Sequence, residues 1–446
     1  MREGPQSASV VSVTEHRFGN TPTSCILLLC YSRPVDQATI KNARARPYWT
    51  HAERFMASIP SFLEIDLDTL VRNLRAVQGL IGPDCGVCAV IKADGYGLGA
   101  VPIAKGLSRH GASLLAVYNP QQAEPLLEAG VDSPLLLLMP VEDLPAQGCL
   151  ADAIRAGRVN LTVHGVAHLE QVIGIAATLD CVVPVQVEVD TGMSRAGADL
   201  DEFGDLVERI AADDHVRLVG VFSHPSSADD DADVTEQQWN RFTAALDAHD
   251  KHIGPDVVIH FANSPGMLRS ERYHQRMVRI GLSLLGHAQP DMVGPTEIAS
   301  PPELRPIVRW MSQVVRVRDV PAGTAIGYNG RYVTQRASTL GLVPVGYADG
   351  YRRLLSNRAV VRVGDALMPA PVRGSVSMDQ IVIDLTDGPA MAVGTPVEVI
   401  SNDPTAPNAL HKLAAQAETI SYEILCGLSA RLPRVYREVS PEAGSS

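Results

Sequence analysis

The sequence predicts a (β/α)8 barrel followed by a mainly β C-terminal domain, and three observations lead to this fold class. At 446 residues the chain is too long for one ordinary hydrophobic core. Over about 200 residues, eight short apolar runs alternate with amphipathic stretches, which is typical of a TIM-like barrel. After about Pro302 the pattern changes to alternating, strand-like segments separated by glycine, proline and aspartate.

We divide the chain into four segments. Residues 1–58 lack a clear hydrophobic period and are predicted to be a disordered N-terminal extension. Residues 59–302 are predicted to form the barrel, and a first strand near 60–66 is assigned either to it or to the second domain. Residues 303–438 are predicted to form the β-rich domain, and 439–446 a tail.

The barrel strands are predicted from their β-branched and apolar content. They are Val87–Ile91, Leu114–Tyr118, Pro134–Met139, Asn160–His164, Val183–Val189, Arg217–Ser223, Val257–Phe261 and Met277–Ile280. The clearest helices are Leu98–His110, Gln121–Ala129, Val166–Ala177 and Glu236–His249. An open, doubly wound sheet is the alternative. No glycine-rich nucleotide motif follows the first strand, which removes the common nucleotide-binding interpretations.

The second domain is predicted from segments with a period of two residues. They are Val308–Val320, Ser338–Gly346, Ala359–Val363, Gln380–Leu385 and Pro396–Ile400, followed by a helix near Asn408–Ala417.

Composition argues against several classes of protein. A formal net charge of −12 argues against nucleic acid or an anionic membrane as the main partner. Seven cysteines do not indicate a disulfide scaffold, and Cys85-x-x-Cys88 has no second pair at zinc-finger spacing, so we predict no metal. The apolar run Ile26–Leu29 is too short to span a bilayer, and no signal-peptide pattern occurs. A cytoplasmic protein is therefore expected.

Lys92 is the first candidate for chemistry. It ends the first predicted barrel strand, and barrel enzymes place their sites at the carboxyl ends of their strands. Apolar neighbours disfavour the ammonium and favour an amine that can form a Schiff base. The glycines that follow allow the backbone to approach a ligand closely. The alternative is a lysine that only reaches solvent from a strand end.

The last two predicted barrel strands bring polar groups to the same face. One ends in His260-Phe-Ala-Asn263-Ser264-Pro-Gly, and the other reads Val278-Arg279-Ile-Gly281-Leu282. Barrels often bind phosphate through the loops after these strands, and a serine hydroxyl with backbone N–H groups at a glycine turn suits phosphate. Ordinary loop residues are the alternative, but their coincidence with Lys92 favours a phosphate site.

These motifs also carry a family resemblance. Ile91-Lys92-Ala-Asp-Gly-Tyr96-Gly resembles the cofactor-lysine motif of alanine racemases, the fold-type III pyridoxal 5'-phosphate enzymes. The resemblance extends in order from about Ser61 to Tyr436. It includes Asp190-Thr-Gly-Met-Ser-Arg195, Phe222-Ser-His224, Ala262-Asn263-Ser264, Arg279-Ile-Gly281-Leu282, Gly327-Tyr328, Val345-Gly-Tyr347, Ser377-Met378-Asp379 and Ser421-Tyr422.

The resemblance implies a homodimer that interconverts L- and D-alanine and supplies D-alanine for cell-wall peptidoglycan. Lys92 would hold the cofactor covalently and act as one acid/base. Tyr328, supplied across the dimer interface, would be the other, because one-step inversion needs groups on opposite faces of the substrate. Arg279 would bind the pyridine nitrogen and oppose its protonation.

The other implied positions surround the cofactor and the substrate. His224 would pack against the cofactor ring, and Arg195 would reach its phenolate oxygen and the substrate. The phosphate would be held by Tyr96, Asn263, Ser264, Gly281, Leu282 and Tyr422. The substrate would be bound by Arg195, Tyr328, Tyr347, Met378 and Asp379. Each of these residues also has a purely structural alternative. Tyr347 and Tyr422 would then be aromatic core residues, His224 would be a structural histidine, and Arg195 would form an ion pair with a nearby carboxylate.

Glu188 departs from the family pattern. Many alanine racemases carry a carbamylated lysine at this position, two residues before Asp-Thr-Gly, where it braces the active-site arginine. Carbamylation is excluded for a glutamate. We hypothesise that Glu188 braces Arg195 directly or through a water.

Three alternatives stay open. The nearest is a racemase of broader or shifted specificity, for example for serine. A fold-type III decarboxylase is disfavoured by Arg279, since that class pairs the pyridine nitrogen with a carboxylate. A non-catalytic pyridoxal-phosphate-binding protein would resemble the barrel alone, so the second domain that carries Tyr328 and Met378 argues against it.

Overall fold

The structure is a computed structural model that describes residues 60–287 and 296–437. The predicted extension over 1–58 and the predicted tail over 439–446 lie outside the described residues. Within the described part, no helix is both long and apolar enough to cross a bilayer.

Eight parallel strands close into a barrel, as the sequence predicts. The strands are β2 (Gly86–Val90), β3 (Leu114–Val117), β4 (Leu135–Leu137), β5 (Val159–Val163), β6 (Val183–Glu188), β7 (Val216–Phe222), β8 (Val258–His260) and β9 (Met277–Ile280). Each pairs with the next in chain order, and β9 closes the barrel on β2. All residues of β3 and β4 are buried, because parallel barrel strands are covered on both faces.

Helices surround the barrel and connect its strands. They are α1 (Leu67–Ile81), α2 (Ala100–Arg109), α3 (Pro120–Glu128), α4 (Cys149–Arg155), α5 (Val166–Leu179), α6 (Leu200–Ala212), α7 (Ala232–Ala248) and α8 (Ser264–Arg269). Asp66 caps α1 by accepting from the Thr69 N–H at 2.8 Å, and Asn119 caps α3 in the same way. All four clearly predicted helices are present, within four residues of the predicted ends.

A nine-stranded sheet forms the β-rich domain. Its strands are β1 (Ser61–Asp66), β10 (Val308–Gln313), β11 (Arg316–Val320), β14 (Ser338–Val343), β15 (Val360–Val363), β16 (Met368–Arg373), β17 (Ile381–Asp384), β18 (Pro396–Ile400) and β19 (Arg434–Arg437). Their order is β11-β14-β17-β16-β15-β18-β10-β1-β19. A small hairpin of β12 (Ala325–Ile326) and β13 (Tyr332–Val333) and the helices α9 (Leu410–Gln416) and α10 (Ser421–Cys426) complete this half.

The first described strand lies in this sheet and not in the barrel. β1 pairs antiparallel with β10 and parallel with β19, so it joins strands that are far apart in the chain. Its residues alternate between buried and partly buried, the period expected for a strand with one face on a core. The Trp310 indole N–H donates to the Ser61 hydroxyl at 2.7 Å and ties β10 to β1.

A buried carboxylate holds the middle of the sheet. Glu398 on β18 accepts from Arg309 on β10 at 2.8 Å and from Arg362 on β15 at 2.6 Å, and its side chain is 1% exposed. Burial alone would raise the pKa of Glu398, but the hydrogen bonds and charges of the two arginines hold it below its ordinary value. The three strands are thus joined by a compensated charge cluster.

Candidate active site

Lys92 follows β2 at the carboxyl end of the barrel and begins a left-handed turn. Ala93, Asp94, Gly95 and Tyr96 have φ angles of 54°, 53°, 62° and 59°. Each non-glycine residue in this region costs about 1–2 kcal/mol, so the turn is strained. It is closed by hydrogen bonds from the Gly95 N–H to the Ile91 carbonyl and from the Ala100 N–H to the Asp94 carboxylate, at 2.9 and 2.8 Å.

The amine of Lys92 lies in a partly buried and electropositive environment. Burial lowers its pKa, and the positive charges of Arg195 and Arg279 lower it further. Glu188 and Cys426 act in the opposite direction but do not outweigh these causes. The uncharged amine, which is the nucleophilic and basic form, is therefore more accessible here than in a free lysine.

A cavity of about 340 Å³ opens beside Lys92. It is lined by Lys92, Ala93, Tyr96, Tyr118, Gln122, Tyr422 and Cys426. The Gln122 carboxamide oxygen accepts from the Tyr118 N–H at 3.0 Å and the Ala93 N–H at 3.4 Å, so α3 is tied to the left-handed turn. Our sequence prediction did not include Tyr118, Gln122 or Cys426, because nothing in their local sequence distinguishes them from helix and loop residues.

Hydrogen-bond donors converge where the sequence predicts a phosphate. The buried Ser264 hydroxyl accepts from the N–H groups of Gly281 and Ser283, each at 3.2 Å. The Tyr96 hydroxyl lies so close to Gly281 that a Cβ there would clash with it, which explains the glycine. Burial raises the pKa of Tyr96 well above its ordinary value and contributes most to raising that of Tyr422 to about 12. Both phenols thus remain protonated donors that suit an anion, whereas the N–H groups of Gly281 and Ser283 already donate to Ser264.

The other two predicted phosphate residues have distinct surroundings. Leu282 is buried next to Gly281 in the loop after β9. Asn263 caps α8: its carboxamide oxygen accepts from the Gly266 N–H at 2.9 Å, and its nitrogen donates to the Pro225 carbonyl at 3.4 Å. The Asn263 side chain is thus engaged in holding its own helix.

Arg279 is buried on β9 among neutral acceptors. Its guanidinium donates to Nδ1 of His260 and Nδ1 of His224, both at 3.0 Å, and to the Ser223 carbonyl at 2.9 Å. The pKa values of both histidines lie well below the ordinary range, first because of burial and then because of the Arg279 charge. Both imidazoles are therefore neutral and can accept. The sequence prediction included His224 but not His260, whose ring also bonds Gln186 at 2.9 Å.

The direct brace that we expected between Glu188 and Arg195 is not among the described ion pairs. Glu188 is buried, and its carboxylate lies 3.3 Å from Nδ1 of His164 instead. Arg195 is exposed, and it follows a turn in which the Asp190 carboxylate accepts three successive N–H groups. This turn redirects the chain before Arg195, although its charge still acts on Lys92.

The predicted substrate residues of the second domain form a separate cluster. Tyr328, Tyr347 and Met378 are 68%, 44% and 54% exposed. The Ala348 N–H donates to the Met378 carbonyl at 3.0 Å, and Arg431 bridges Asp379 and Asp349 at 2.6 and 2.7 Å. Among the described contacts the Met378 N–H has no acceptor.

Within one chain the structure does not bring this second cluster to Lys92. None of its members lines the cavity around the lysine in the described part of the chain. Large aromatic and thioether side chains exposed together are typical of a surface that another protein covers.

Comparisons with known proteins match both halves of the chain to one family. Residues 65–289 match the family model described as alanine racemase, N-terminal domain, and 307–436 match alanine racemase, C-terminal domain. The chain is 36% identical over 383 residues to an alanine racemase of Halothermothrix orenii, covering 85% of this chain and 97% of the relative. It is also 36% identical over 380 residues to one of Desulfovibrio desulfuricans, with 85% and 98% covered.

Solved structures of alanine racemases have the same fold. The enzyme from Streptomyces lavendulae superposes with a TM-score of 0.76 at 30% identity, covering 85% of this chain and 97% of that one. The enzyme from Bartonella henselae, described with covalently bound pyridoxal phosphate, superposes with a TM-score of 0.71 at 27% identity, covering 85% and 99%.

Proposed function

The chain belongs to the alanine racemase family, and from this premise we propose that it interconverts L-alanine and D-alanine with pyridoxal 5'-phosphate held on Lys92. The observation that carries the proposal is the Lys92 amine with its lowered pKa, in a cavity that is also lined by the protonated phenols of Tyr96 and Tyr422. An amine of lowered basicity beside two phenol donors suits an aldehyde cofactor that carries a phosphate.

The residues of the barrel would hold the cofactor at both ends. Lys92 would bind its aldehyde carbon covalently, while Tyr96, Ser264, Gly281, Leu282 and Tyr422 would hold the phosphate and His224 would pack against the ring. Asn263 would support Ser264 from behind through its cap of α8. When bound, pyridoxal phosphate supplies a conjugated ring that stabilises negative charge developing on the substrate Cα.

Arg279 would set the protonation of the ring nitrogen. Its guanidinium is fixed by two neutral histidines and stays charged, so it offers a hydrogen bond and no negative charge. A permanent cation at this place opposes a proton on the nitrogen. This favours racemisation over a decarboxylase type of site, in which a carboxylate would pair with the nitrogen.

Two groups would move the proton. Lys92 would take it at Nζ on one face of the substrate, and Tyr328 of the partner subunit would deliver another from its hydroxyl on the opposite face. Inversion in one step needs both groups, because a single base tends to return the proton to the face it came from. Met378 would present its N–H to the substrate carboxylate, joined by Arg195 and Asp379, and Tyr347 would shape the entrance.

A homodimer follows from the same proposal. The exposure of Tyr328, Tyr347 and Met378, and their absence from the Lys92 cavity of their own chain, support a site completed by a second copy. We also propose that the D-alanine formed serves cell-wall peptidoglycan, which family membership supports. Deleting the gene should then make growth of the source organism depend on added D-alanine; growth without it would contradict this role.

The first test is the loss of optical activity when the cofactor-loaded protein meets L-alanine. We expect racemisation by the wild type and a loss of at least about 10²–10⁴-fold in Lys92→Ala. Lys105→Ala, which changes a lysine on α2, is the matched control and should retain activity. A loaded wild-type protein that leaves L-alanine unchanged would contradict the proposal. L-serine is the next substrate to test, since a racemase of shifted specificity would act on it.

A further inference from the structure

The loop behind Lys92 is fastened by a strand from the far end of the described chain. Arg434 on β19 donates from Nε and Nη2 to the Gly97 carbonyl at 3.1 and 2.8 Å. Its remaining hydrogen bonds go to the carbonyls of Leu428, Ser429 and Leu432. All five bonds end on main-chain oxygens, so the guanidinium serves to hold backbone in place.

Two further contacts fix the same loop. The Tyr436 hydroxyl donates to the Leu98 carbonyl at 2.9 Å. Gly97 has a φ of 79°, and a Cβ there would lie 2.7 Å from the Leu425 carbonyl, so the loop and the end of α10 are in close backbone contact. The loop after the left-handed turn is therefore clasped between α10 and β19.

The clasp and the cavity wall belong to one segment. Residues 421–436 contribute Tyr422 and Cys426 to the cavity lining and Arg434 and Tyr436 to the clasp. A displacement of residues 421–436 would therefore move both the wall of the cavity and the turn that carries Lys92.

We propose that Arg434 is a positioning residue, which clasps the strained turn after β2 and so holds the Lys92 amine where it captures the cofactor. Tyr436 assists through Leu98. The left-handed backbone conformation of Ala93, Asp94 and Tyr96 is strained and persists only where surrounding contacts hold it in place. Arg434 supplies two of these hydrogen bonds. The inference rests on the proposed function, because it concerns how Lys92 meets pyridoxal phosphate.

Release of the turn has a measurable effect on Lys92. The charged or titratable groups that interact with its amine are Arg195, Arg279, Glu188, Cys426 and His224, and Tyr96 and Tyr422 line the same cavity. If the turn relaxes, the amine becomes more hydrated and moves away from Arg195 and Arg279. Its basicity then returns toward that of a free lysine, and capture needs a higher pH.

The experiment measures capture directly and not turnover. Apo-protein is mixed with pyridoxal phosphate across a pH series, and the covalent product on Lys92 is trapped with borohydride and quantified by peptide mapping. We expect Arg434→Met to capture the cofactor about tenfold more slowly at pH 7, with the midpoint of the pH profile raised by about one unit. Tyr436→Phe should shift both in the same direction by less.

Arg437→Met is the matched control. Arg437 lies on the same strand but is exposed and pairs with Glu64 at 3.3 Å, away from the turn. It should leave the capture rate and the pH midpoint unchanged. If Arg434 has a purely structural role, Arg434→Met will lower the melting temperature but leave the midpoint of the pH profile at the wild-type value. That result would overturn the inference.

Two outcomes separate this inference from the proposed function. If the wild type captures no cofactor on Lys92, the proposed function fails and the inference with it. If the wild type captures and both clasp variants match it, only the inference fails. Should Arg434→Met not fold, Tyr436→Phe decides alone, because it removes a single hydroxyl.

Discussion

Lys92 owes its properties to neighbours that are distant in sequence. Arg279 comes from the last barrel strand, Arg195 from the loop after β6 and Cys426 from α10, and all act on its amine. Burial and the two cations disfavour a positive charge on the amine. The same side chain on an isolated strand end would be an ordinary, protonated lysine.

Tyr328 offers a test of the two-base assignment. In Tyr328→Phe we expect racemisation to fall by about 10²–10⁴-fold, because one of the two proton-moving groups is gone. Capture of pyridoxal phosphate on Lys92 should persist. In deuterated water the variant should exchange the Cα hydrogen of one enantiomer faster than it inverts that enantiomer, which mass spectrometry and chiral chromatography can measure together.

Tyr332→Phe is the control for this change. Tyr332 lies on β13 in the same domain, with Arg373 stacked 4.6 Å above its ring, and it is not among the proposed site residues. Wild-type racemisation by Tyr328→Phe would contradict its assigned role.

Sequence could indicate the residues that local motifs mark, such as Lys92, Ser264 and Arg279. It could not show which side chain the Glu188 carboxylate contacts. Whether this is Arg195 or His164 depends on how two barrel strands lie relative to each other. His164 ends the neighbouring strand β5 and lies 3.3 Å from the carboxylate, whereas Arg195 follows a turn that leaves it exposed.

At the scale of the elements, the clearest prediction about the free energy of unfolding concerns Glu398 on strand β18. Glu398→Gln would remove the buried carboxylate that Arg309 and Arg362 share and leave them only their longer contacts to Glu64 at 3.5 Å and Asp403 at 3.6 Å. Breaking a fully buried pair typically costs about 3–5 kcal/mol, so we expect a loss near the lower end of that range. Urea unfolding at pH 7 should show this loss. Glu303→Gln, which changes an exposed partner of Arg305, should have little effect.

The same carboxylate predicts a pH dependence. The pKa of folded Glu398 lies below the unfolded value of about 4.3, so its contribution is present above that pH and is lost as pH falls through the folded value. The stability difference between wild type and Glu398→Gln should therefore shrink from pH 7 toward pH 3. A difference that stays constant over this range would contradict the assignment.

Elements with a clear hydrophobic period could be predicted, and those fixed by tertiary contacts could not. All eight barrel strands lie where the apolar runs predict them, because burial on both faces requires such runs. β16 was missed because Pro369 and Pro371 interrupt the strand pattern. β19 was missed because its four residues include two arginines and its partner β1 lies at the other end of the described chain.

At the scale of the whole molecule, the proposed division of the site between two subunits predicts complementation. Lys92→Ala and Tyr328→Phe chains would each be inactive, but a mixed dimer would contain one site with both groups intact. Random mixing makes half of the dimers mixed, so co-expression should restore about a quarter of wild-type activity. Two different affinity tags allow the mixed dimer to be isolated and assayed.

The control is the dimer that each variant forms with itself, which should show no restored racemase activity. If Tyr328 served the site of its own chain, the mixed dimer would also be inactive, and the shared site would be ruled out.

The clasp by Arg434 also sets an order of events during synthesis. Gly97 and Arg434 are 337 residues apart, so at about 5–20 residues per second the turn leaves the ribosome about 17–67 seconds before the strand that fastens it. A nascent chain can close most of its barrel in that interval, yet its lysine loop has no clasp. If the clasp acts as proposed, the unfinished chain should capture the vitamin B6 cofactor on Lys92 more slowly than the finished chain does.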